Sequence, residues 1–145
     1  MNNEIEIQIK VPNQTRYLSL IGRVGEDLAH HLRGFCGNRD ALANNINVVL
    51  TEAMVNAIKH ANEDDPDKQV DIRISIVDND LLIRVFDQGQ GFDLNTVPDP
   101  DFENKSHLEA SGRGIYIIRA LMDSVDYRKT EEGNVLEMRK HLTVQ

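Results

Sequence analysis

Two strand-like runs in the middle of the chain constrain the fold more than any other feature. They are "QVDIRISIV" and "DLLIRVFD", and along both of them apolar residues alternate with polar ones. The segment Asp78-Asn79-Asp80 joins the two runs and has the composition of a turn, so the pair is predicted to form a β-hairpin with one apolar face. That apolar face has to be buried by a second layer of the fold, and helices are the natural cover.

Further strands and helices are predicted on both sides of this hairpin. The run "EIEIQIKV" alternates up to Pro12, and "SVDYRKT" and "NVLEMRKHL" flank a turn at Glu132-Gly133-Asn134. Helices are predicted from about Thr15 to Arg33, from an N-cap at Asp40, and over "GRGIYIIRALMDSV", whose apolar circumference indicates deep packing. We therefore expect a single domain, residues 1–145, with an α/β two-layer sandwich (α+β) fold: a mostly antiparallel sheet of about five strands with three helices on one face.

Charge and composition exclude several classes of protein. The chain has 145 residues and a net charge of −8, which argues against nonspecific binding of nucleic acid, because such binding needs a basic face. The lone Cys36 cannot form an internal disulfide. No apolar run is long enough to span a membrane, and the polar start "MNNE" does not resemble a signal peptide. A soluble cytoplasmic protein without a membrane partner is expected.

The stretch "TEAMVNAIKHAN", residues 51–62, combines a buried helix face with a polar stripe. Apolar residues recur at helical spacing at Ile46, Val49, Leu50, Ala53, Ala57 and Ala61. Glu52, Asn56 and His60 follow one another at intervals of four residues, which places them on one stripe beside that face. The stripe is either ordinary solvated surface or the wall of a binding site.

Two glycine-rich segments follow in the second half of the chain. "DQGQGF" ends a predicted strand, where Gly89 and Gly91 would let a ligand approach the backbone and Asp87 offers an acceptor for an amine. "SGRG" begins a helix, where free N–H groups at Gly112 and Gly114 could bind phosphate oxygens. An ordinary turn explains either pair alone. Neither segment is a dinucleotide fingerprint or a P-loop.

The three segments together resemble the motifs of a known superfamily. "EAMVNAIKHA" resembles the N box, "DQGQGF" the G1 box and "GRG" the G2 box of the GHKL ATPases, the superfamily of gyrase and the sensor histidine kinases. The run "GRGIYIIRALMDSVDY" is most similar to the bacterial anti-sigma-factor serine/threonine kinases. This resemblance covers nearly the whole chain and implies a Bergerat-type ATP-binding fold.

The resemblance also implies roles for the metal-binding, catalytic and base-binding residues. Asn56 would give its side-chain oxygen to a Mg²⁺ that also holds the phosphates of ATP. Glu52 would be the general base that orients or deprotonates the attacking hydroxyl. Asp87 would read the exocyclic amine of adenine, while Gly89 and Gly91 leave room for the ring.

Other residues would contact the sugar and the phosphates. Lys59 and His60 would face the phosphates or the ribose, although His60 is equally compatible with a boundary position. Gly112, Arg113 and Gly114 would cradle phosphates. The aperiodic loop from Asp93 to Ala110 would be a lid. Either Lys105 or Arg113 would neutralise the γ-phosphate, and the sequence does not choose between them.

The implied function is a partner switch: an anti-sigma factor that uses Mg-ATP to phosphorylate a serine or threonine of an anti-anti-sigma (STAS) protein. The regulated partner would be a sigma factor or another protein. Homodimerisation is also implied, with the first strand or the helix from Thr15 to Arg33 as candidate surfaces. Relatives often have threonines in the closing strand, where this chain reads "GNVLEMRK", so a hydrogen bond near the base would be missing or shifted.

Two alternatives remain open. The first is an ATP-responsive module that sequesters a partner without catalysis. The second is an isolated ATPase piece of a histidine-kinase system, which would transfer phosphate to histidine. The absence of an upstream phosphoacceptor-histidine helix pair argues against a self-sufficient sensor kinase.

Overall fold

The structure is a computed structural model, and it describes residues 3–89 and 112–145. Its strands are β1 (Ile5–Pro12), β2 (Gln69–Val77), β3 (Asp80–Asp87), β4 (Ser124–Thr130) and β5 (Gly133–His141). Its helices are α1 (Leu18–His31), which follows a 3₁₀ turn at Thr15–Tyr17, then α2 (Arg39–Val55), which continues into a π-helical turn at Asn56–Ala61, and α3 (Gly112–Leu121). Within the described residues, no helix is long and apolar enough to cross a membrane.

The five strands form one sheet in the order β1-β2-β3-β5-β4, and every neighbouring pair is antiparallel. The predicted hairpin is present, with Val77 opposite Asp80. Its two turn residues, Asp78 and Asn79, have φ angles of 52° and 64°. Short polar residues tolerate this left-handed conformation, which matches the twist of a two-residue hairpin. The expected antiparallel sheet with three helices is confirmed.

The core lies between the helices and the helix-facing side of the sheet. The inward residues of β2, from Val70 to Ile76 at every second position, are 0–2% exposed. The apolar face predicted for α2 is buried in full: Ile46, Val49, Leu50, Ala53, Ala57 and Ala61. The inward row of β3 ends at Asp87, and that of β5 begins at Asn134, so each row has a polar residue at the same end of the sheet.

The structure corrects three local predictions. The N-cap of α2 is Asn38, whose side-chain oxygen accepts from the N–H of Ala41 at 3.0 Å, and Asp40 lies in the first turn instead. The π-helical turn after Val55 is not visible in the apolar spacing, because a wide turn buries the same alanines. The third helix is buried on one face only: Ile115 and Ile118 are covered, whereas Tyr116 is 38% exposed.

Candidate functional site

The end of α2 carries two of the predicted site residues. Glu52 is half-buried in the last turn of the helix, and Asn56 follows directly after Val55, where the helix ends. The helix then widens, so that the N–H of Asn62 donates to the carbonyl of Ala57, five residues earlier, at 2.8 Å. Wide turns of this kind occur frequently at functional sites. The polar stripe is therefore split: Asn56 is 6% exposed, whereas His60 is exposed to solvent.

The side chain of Asn56 fits a role as a metal ligand. It is buried, yet its amide makes no hydrogen bond to another residue in the described part of the chain. The amide atoms of Asn56 are not among the fully buried unpaired atoms of the described residues, so they still reach solvent and are open to a ligand. An amide oxygen is a ligand type that Mg²⁺ accepts, alongside phosphate and water oxygens. The side-chain oxygen of Asn56 is therefore suited to bind a Mg²⁺ that also binds a phosphate group.

Glu52 lies against the start of α3. A Cβ atom added at Gly114 would lie 3.0 Å from Oε2 of Glu52, so the missing side chain allows this close approach. Gly112 is the first residue of α3, and Arg113 follows it with an exposed side chain. The structure therefore brings Glu52 together with the helix start whose N–H groups are suited to phosphate oxygens.

Asp87 ends β3 and is 2% exposed. Its Oδ1 accepts from Nδ2 of Asn134 at 2.9 Å and from the N–H of Gly89 at 3.0 Å, and its Oδ2 accepts from the hydroxyl of Tyr127 at 2.6 Å. Burial and then the contact with Asp87 raise the pKa of the Tyr127 hydroxyl above its ordinary value of 10.0. This hydroxyl therefore remains a hydrogen-bond donor at neutral pH.

Gly89 holds the end of β3 against the end of the π-helical turn. A Cβ atom at Gly89 would lie 1.5 Å from the carbonyl oxygen of Ala61, so only glycine fits at this position without a backbone shift. Next to this contact, the fully buried Asn62 accepts from the N–H of Gln88 at 2.8 Å and donates to Oδ1 of Asn13 at 2.9 Å. These contacts join the helix segment of Asn56 to the strand end of Asp87.

A cleft of about 480 Å³ opens beside Asp87. It is lined by residues of the β3 end and of the β4–β5 hairpin: Gly89, Lys129, Thr130, Gly133 and Asn134. Lys129 is exposed and lies directly opposite Asn134 in the sheet. The cleft thus combines an exposed cation with the polar end of the sheet.

Lys59 and His60 lie on the surface near the end of the π-helical turn. Lys59 is exposed, and so is His60. Partial desolvation and then the charge of Lys59 lower the pKa of His60, so at neutral pH its ring is neutral and does not add positive charge toward a phosphate. Gly91, Lys105 and the loop from Asp93 to Ala110 lie outside the described residues. Their predicted roles stay predictions.

Three residues of this site are absent from the sequence prediction: Asn62, Tyr127 and Asn134. A signal existed for Asn134, because it is a polar residue on the inward, otherwise apolar side of β5, with Leu136 and Met138 next in the row. Tyr127 is a half-buried strand residue like many others, and Asn62 ends a polar-rich helix segment. Only tertiary contacts distinguish these two from ordinary residues.

A comparison with protein families decides which superfamily this arrangement represents. The model of the histidine kinase-like ATPase domain matches residues 11–140. The chain belongs to this family. The resemblance noted in the three sequence motifs is thereby confirmed, and this ATPase family shares the α+β architecture described above.

Curated relatives of this histidine kinase-like ATPase domain carry two different names. The anti-sigma F factor of Anoxybacillus flavithermus is 38% identical over 100 residues, which cover 68% of this chain and 68% of the relative. The anti-sigma F factor of Heyndrickxia coagulans is 36% identical over 100 residues, covering 67% and 68%. The serine-protein kinase RsbW of Bacillus subtilis is 27% identical over 146 residues, covering 97% and 88%.

Proposed function

We propose that this protein is an anti-sigma factor and a Mg²⁺- and ATP-dependent serine/threonine kinase, which phosphorylates an anti-anti-sigma antagonist of the STAS type. The relatives that carry these names support both halves of the proposal. One observation supports the chemistry most directly. A buried, unpaired Asn56 lies one helical turn after Glu52, and Glu52 borders the start of α3.

The protein's own residues supply positioning and charge for phosphoryl transfer, which depends mainly on these two factors. Asn56 holds the Mg²⁺, which when bound neutralises phosphate charge. Glu52 accepts the proton of the substrate hydroxyl, and the N–H groups at Gly112–Gly114 bind phosphate oxygens. Asp87 accepts from the exocyclic amine of adenine. Lys105 or Arg113 supplies the cation at the γ-phosphate, and Lys59 lies at the edge of the site.

The partners are proteins rather than nucleic acid or membrane, as the net charge of −8 favours. One is a sigma factor or another regulated protein, and the other is the STAS antagonist. We also propose a cytoplasmic homodimer. Ile5 on β1 and Leu20 on α1 are 38% and 54% exposed, and they offer apolar contacts on the two elements that are candidates for a protein interface.

The kinase proposal is tested by measuring transfer and binding separately. Purified wild type and Glu52→Gln would be mixed with Mg-ATP labelled at the γ-phosphate and a STAS protein encoded in the same genome. Glu52→Gln should keep the Kd for ATP while transfer to serine or threonine falls by about 10²- to 10⁴-fold, the usual contribution of a general base. Glu137→Gln, on the face of β5 that is turned away from the helices, is the matched control and should behave as wild type.

One observation favours the alternative of an ATP-responsive sequestering module. Asp87 already accepts three hydrogen bonds from the protein itself, so its burial does not depend on a bound base. Saturable ATP binding by wild type without any labelled serine or threonine on the STAS protein would support this alternative. Label that is lost in acid would instead indicate transfer to histidine.

A further inference from the structure

Two of the three donors to the Asp87 carboxylate lie outside the three family motifs. Tyr127 comes from β4 and Asn134 from β5, at positions 40 and 47 residues further along the chain. Asn134 lies directly opposite Asp87 in the β3–β5 register. Tyr127 has to reach across β5, because its own strand is one position further from β3 in the sheet. Two strands thus contribute a donor each to one carboxylate.

Counting acceptor positions shows what remains for a ligand. An ionised carboxylate has about four acceptor positions, two on each oxygen. Among the described residues, the N–H of Gly89 and the amide of Asn134 use both positions on Oδ1, and the hydroxyl of Tyr127 uses one on Oδ2. One position on Oδ2 remains.

We propose that Tyr127 and Asn134 are positioning residues for base recognition, which orient Asp87 so that a single acceptor position on Oδ2 is left for the exocyclic amine of a purine. This inference rests on the proposed nucleotide site. It adds a cause of specificity: the preference for an amine-bearing base depends on the two neighbours of Asp87 as well as on Asp87.

The geometry of Asn134 indicates that it acts through Asp87. Its Nδ2 carries two hydrogens, which go to Oδ1 of Asp87 at 2.9 Å and to the carbonyl of Gly89 at 2.8 Å. The reversed amide would place its oxygen against two acceptors, so the orientation is fixed. With both hydrogens in use, the Asn134 amide nitrogen has no hydrogen left to donate to a base. Its effect is to hold the carboxylate and the Gly89 turn together.

Tyr127 occupies one of the two acceptor positions on Oδ2 of Asp87. Its hydroxyl lies 2.6 Å from Oδ2, the usual distance for a hydroxyl that donates to a carboxylate, and the pKa of this hydroxyl is raised by burial and by Asp87. The tyrosine therefore keeps its proton under the conditions of nucleotide binding. A base that presents a carbonyl oxygen instead of an amine meets an acceptor at Oδ2 and is disfavoured.

The experiment measures how strongly the protein prefers ATP over a nucleotide without the exocyclic amine, and not only how tightly it binds ATP. Kd values in Mg²⁺ would be measured for ATP and for purine riboside triphosphate, which lacks only the amine, by displacement of a fluorescent ATP analogue. The ratio of the two Kd values isolates the contribution of the amine, because a general loosening of the site weakens both nucleotides alike. The variants are Tyr127→Phe, which removes one hydroxyl, and Asn134→Leu, which removes both amide donations. Tyr17→Phe removes a remote hydroxyl as the matched control.

Wild type should prefer ATP by about tenfold or more, the size expected for a hydrogen bond to a charged group. Tyr127→Phe and Asn134→Leu should each reduce this preference by about threefold or more, while Tyr17→Phe keeps it. If wild type discriminates and both variants retain its ratio, the inference is wrong while the proposed nucleotide site stands. If wild type binds the two nucleotides equally well, the proposed contact between Asp87 and the base is wrong, and the roles of Tyr127 and Asn134 in base recognition are wrong with it. A drop in only one variant removes the other residue from the proposal.

Discussion

Asn56 and Asn62 show how two buried amides six residues apart come to have different roles. Asn62 is fully buried, and its side chain bonds Asn13, Gln69 and Gln88. Asn56 is almost as buried, yet it has no hydrogen-bond partner among the described residues. The amide atoms of Asn56 are not among the fully buried unpaired atoms, so they still reach solvent, and the amide gives the fold no side-chain hydrogen bond within the described residues. This contrast is what the proposed metal-binding role of Asn56 and a structural role of Asn62 predict.

Replacement of each asparagine by leucine, which has a similar size, should therefore have opposite effects on folding. Asn56→Leu should leave the free energy of unfolding unchanged or raise it by about 1 kcal/mol, because no hydrogen bond is lost. Asn62→Leu should lower it by about 2–4 kcal/mol, because three partners are left unpaired. Urea unfolding of both variants measures this, and Asn56→Leu should also lose Mg-dependent ATP binding. A large loss of stability in Asn56→Leu would mean that its amide has a structural role.

At the scale of elements, the hairpin was predictable to the residue, while the end of α2 was not. The bounds of β2 and β3 agree with the sequence pattern, because alternation and turn residues are both local. The π-helical turn depends on what packs around it. Gly89 occupies the space next to the carbonyl of Ala61, and Asn62 bonds the adjoining strand end. No local pattern in "NAIKHAN" contains that information, so the joint between helix and strand appears only in the folded chain.

Two glycine-to-alanine variants test how the elements meet at the site. Gly89→Ala should lower the free energy of unfolding by about 1–3 kcal/mol, because its Cβ would meet the backbone of Ala61. Gly114→Ala should leave it unchanged or raise it by about 0.5–1 kcal/mol, because alanine suits a helix and the Glu52 side chain can move. The same Gly114→Ala should slow phosphoryl transfer.

Urea unfolding measures the stability of both variants, and the transfer assay measures their phosphoryl-transfer activity against wild type. The contact between α2 and α3 would be irrelevant to chemistry if Gly114→Ala kept full transfer activity. Equal stability of Gly89→Ala and wild type would contradict the close approach of the β3 end to the π-helical turn.

Considered as a whole molecule, the site residues come from most parts of the chain. Asn13 follows the first strand, Asn56 and Asn62 lie at the end of α2, Asp87 ends β3, and Asn134 begins β5. The motifs predicted Asn56 and Asp87 because their spacing to glycines and acids is specific. Asn62 and Tyr127 were not predictable, because they bond Asn13, Gln88 and Asp87 across 26 to 49 residues of sequence. Asn134 had a local signal as a polar residue in an apolar row, but its partner Asp87 is 47 residues away. The order of strands, with β5 between β3 and β4, is what brings Tyr127 and Asn134 to Asp87.

The hydrogen bond from Tyr127 to Asp87 adds a contribution to the free energy of unfolding that depends on the Tyr127 proton at alkaline pH. The pKa of Tyr127 in the folded protein is raised above the ordinary value of 10.0. Below pH 10 the folded and unfolded chains both hold this proton, so its contribution to stability is complete and constant. Above pH 10 the unfolded chain releases the proton first, and ionisation favours unfolding. The stability that Tyr127 contributes is therefore lost as the pH rises.

Urea unfolding of wild type and Tyr127→Phe at pH 8, 10 and 11 measures this effect, since all other titrating groups are shared and cancel in the difference. Wild type should be more stable than the variant by about 1–3 kcal/mol at pH 8, as expected for a hydrogen bond to a carboxylate. That advantage should decrease by up to about 1.4 kcal/mol for each pH unit above 10. A constant difference from pH 8 to pH 11 would mean that the hydroxyl of Tyr127 does not bond Asp87 in solution. Because Asp87 is the proposed base-reading residue, the same result would also remove the physical basis for discrimination by Tyr127.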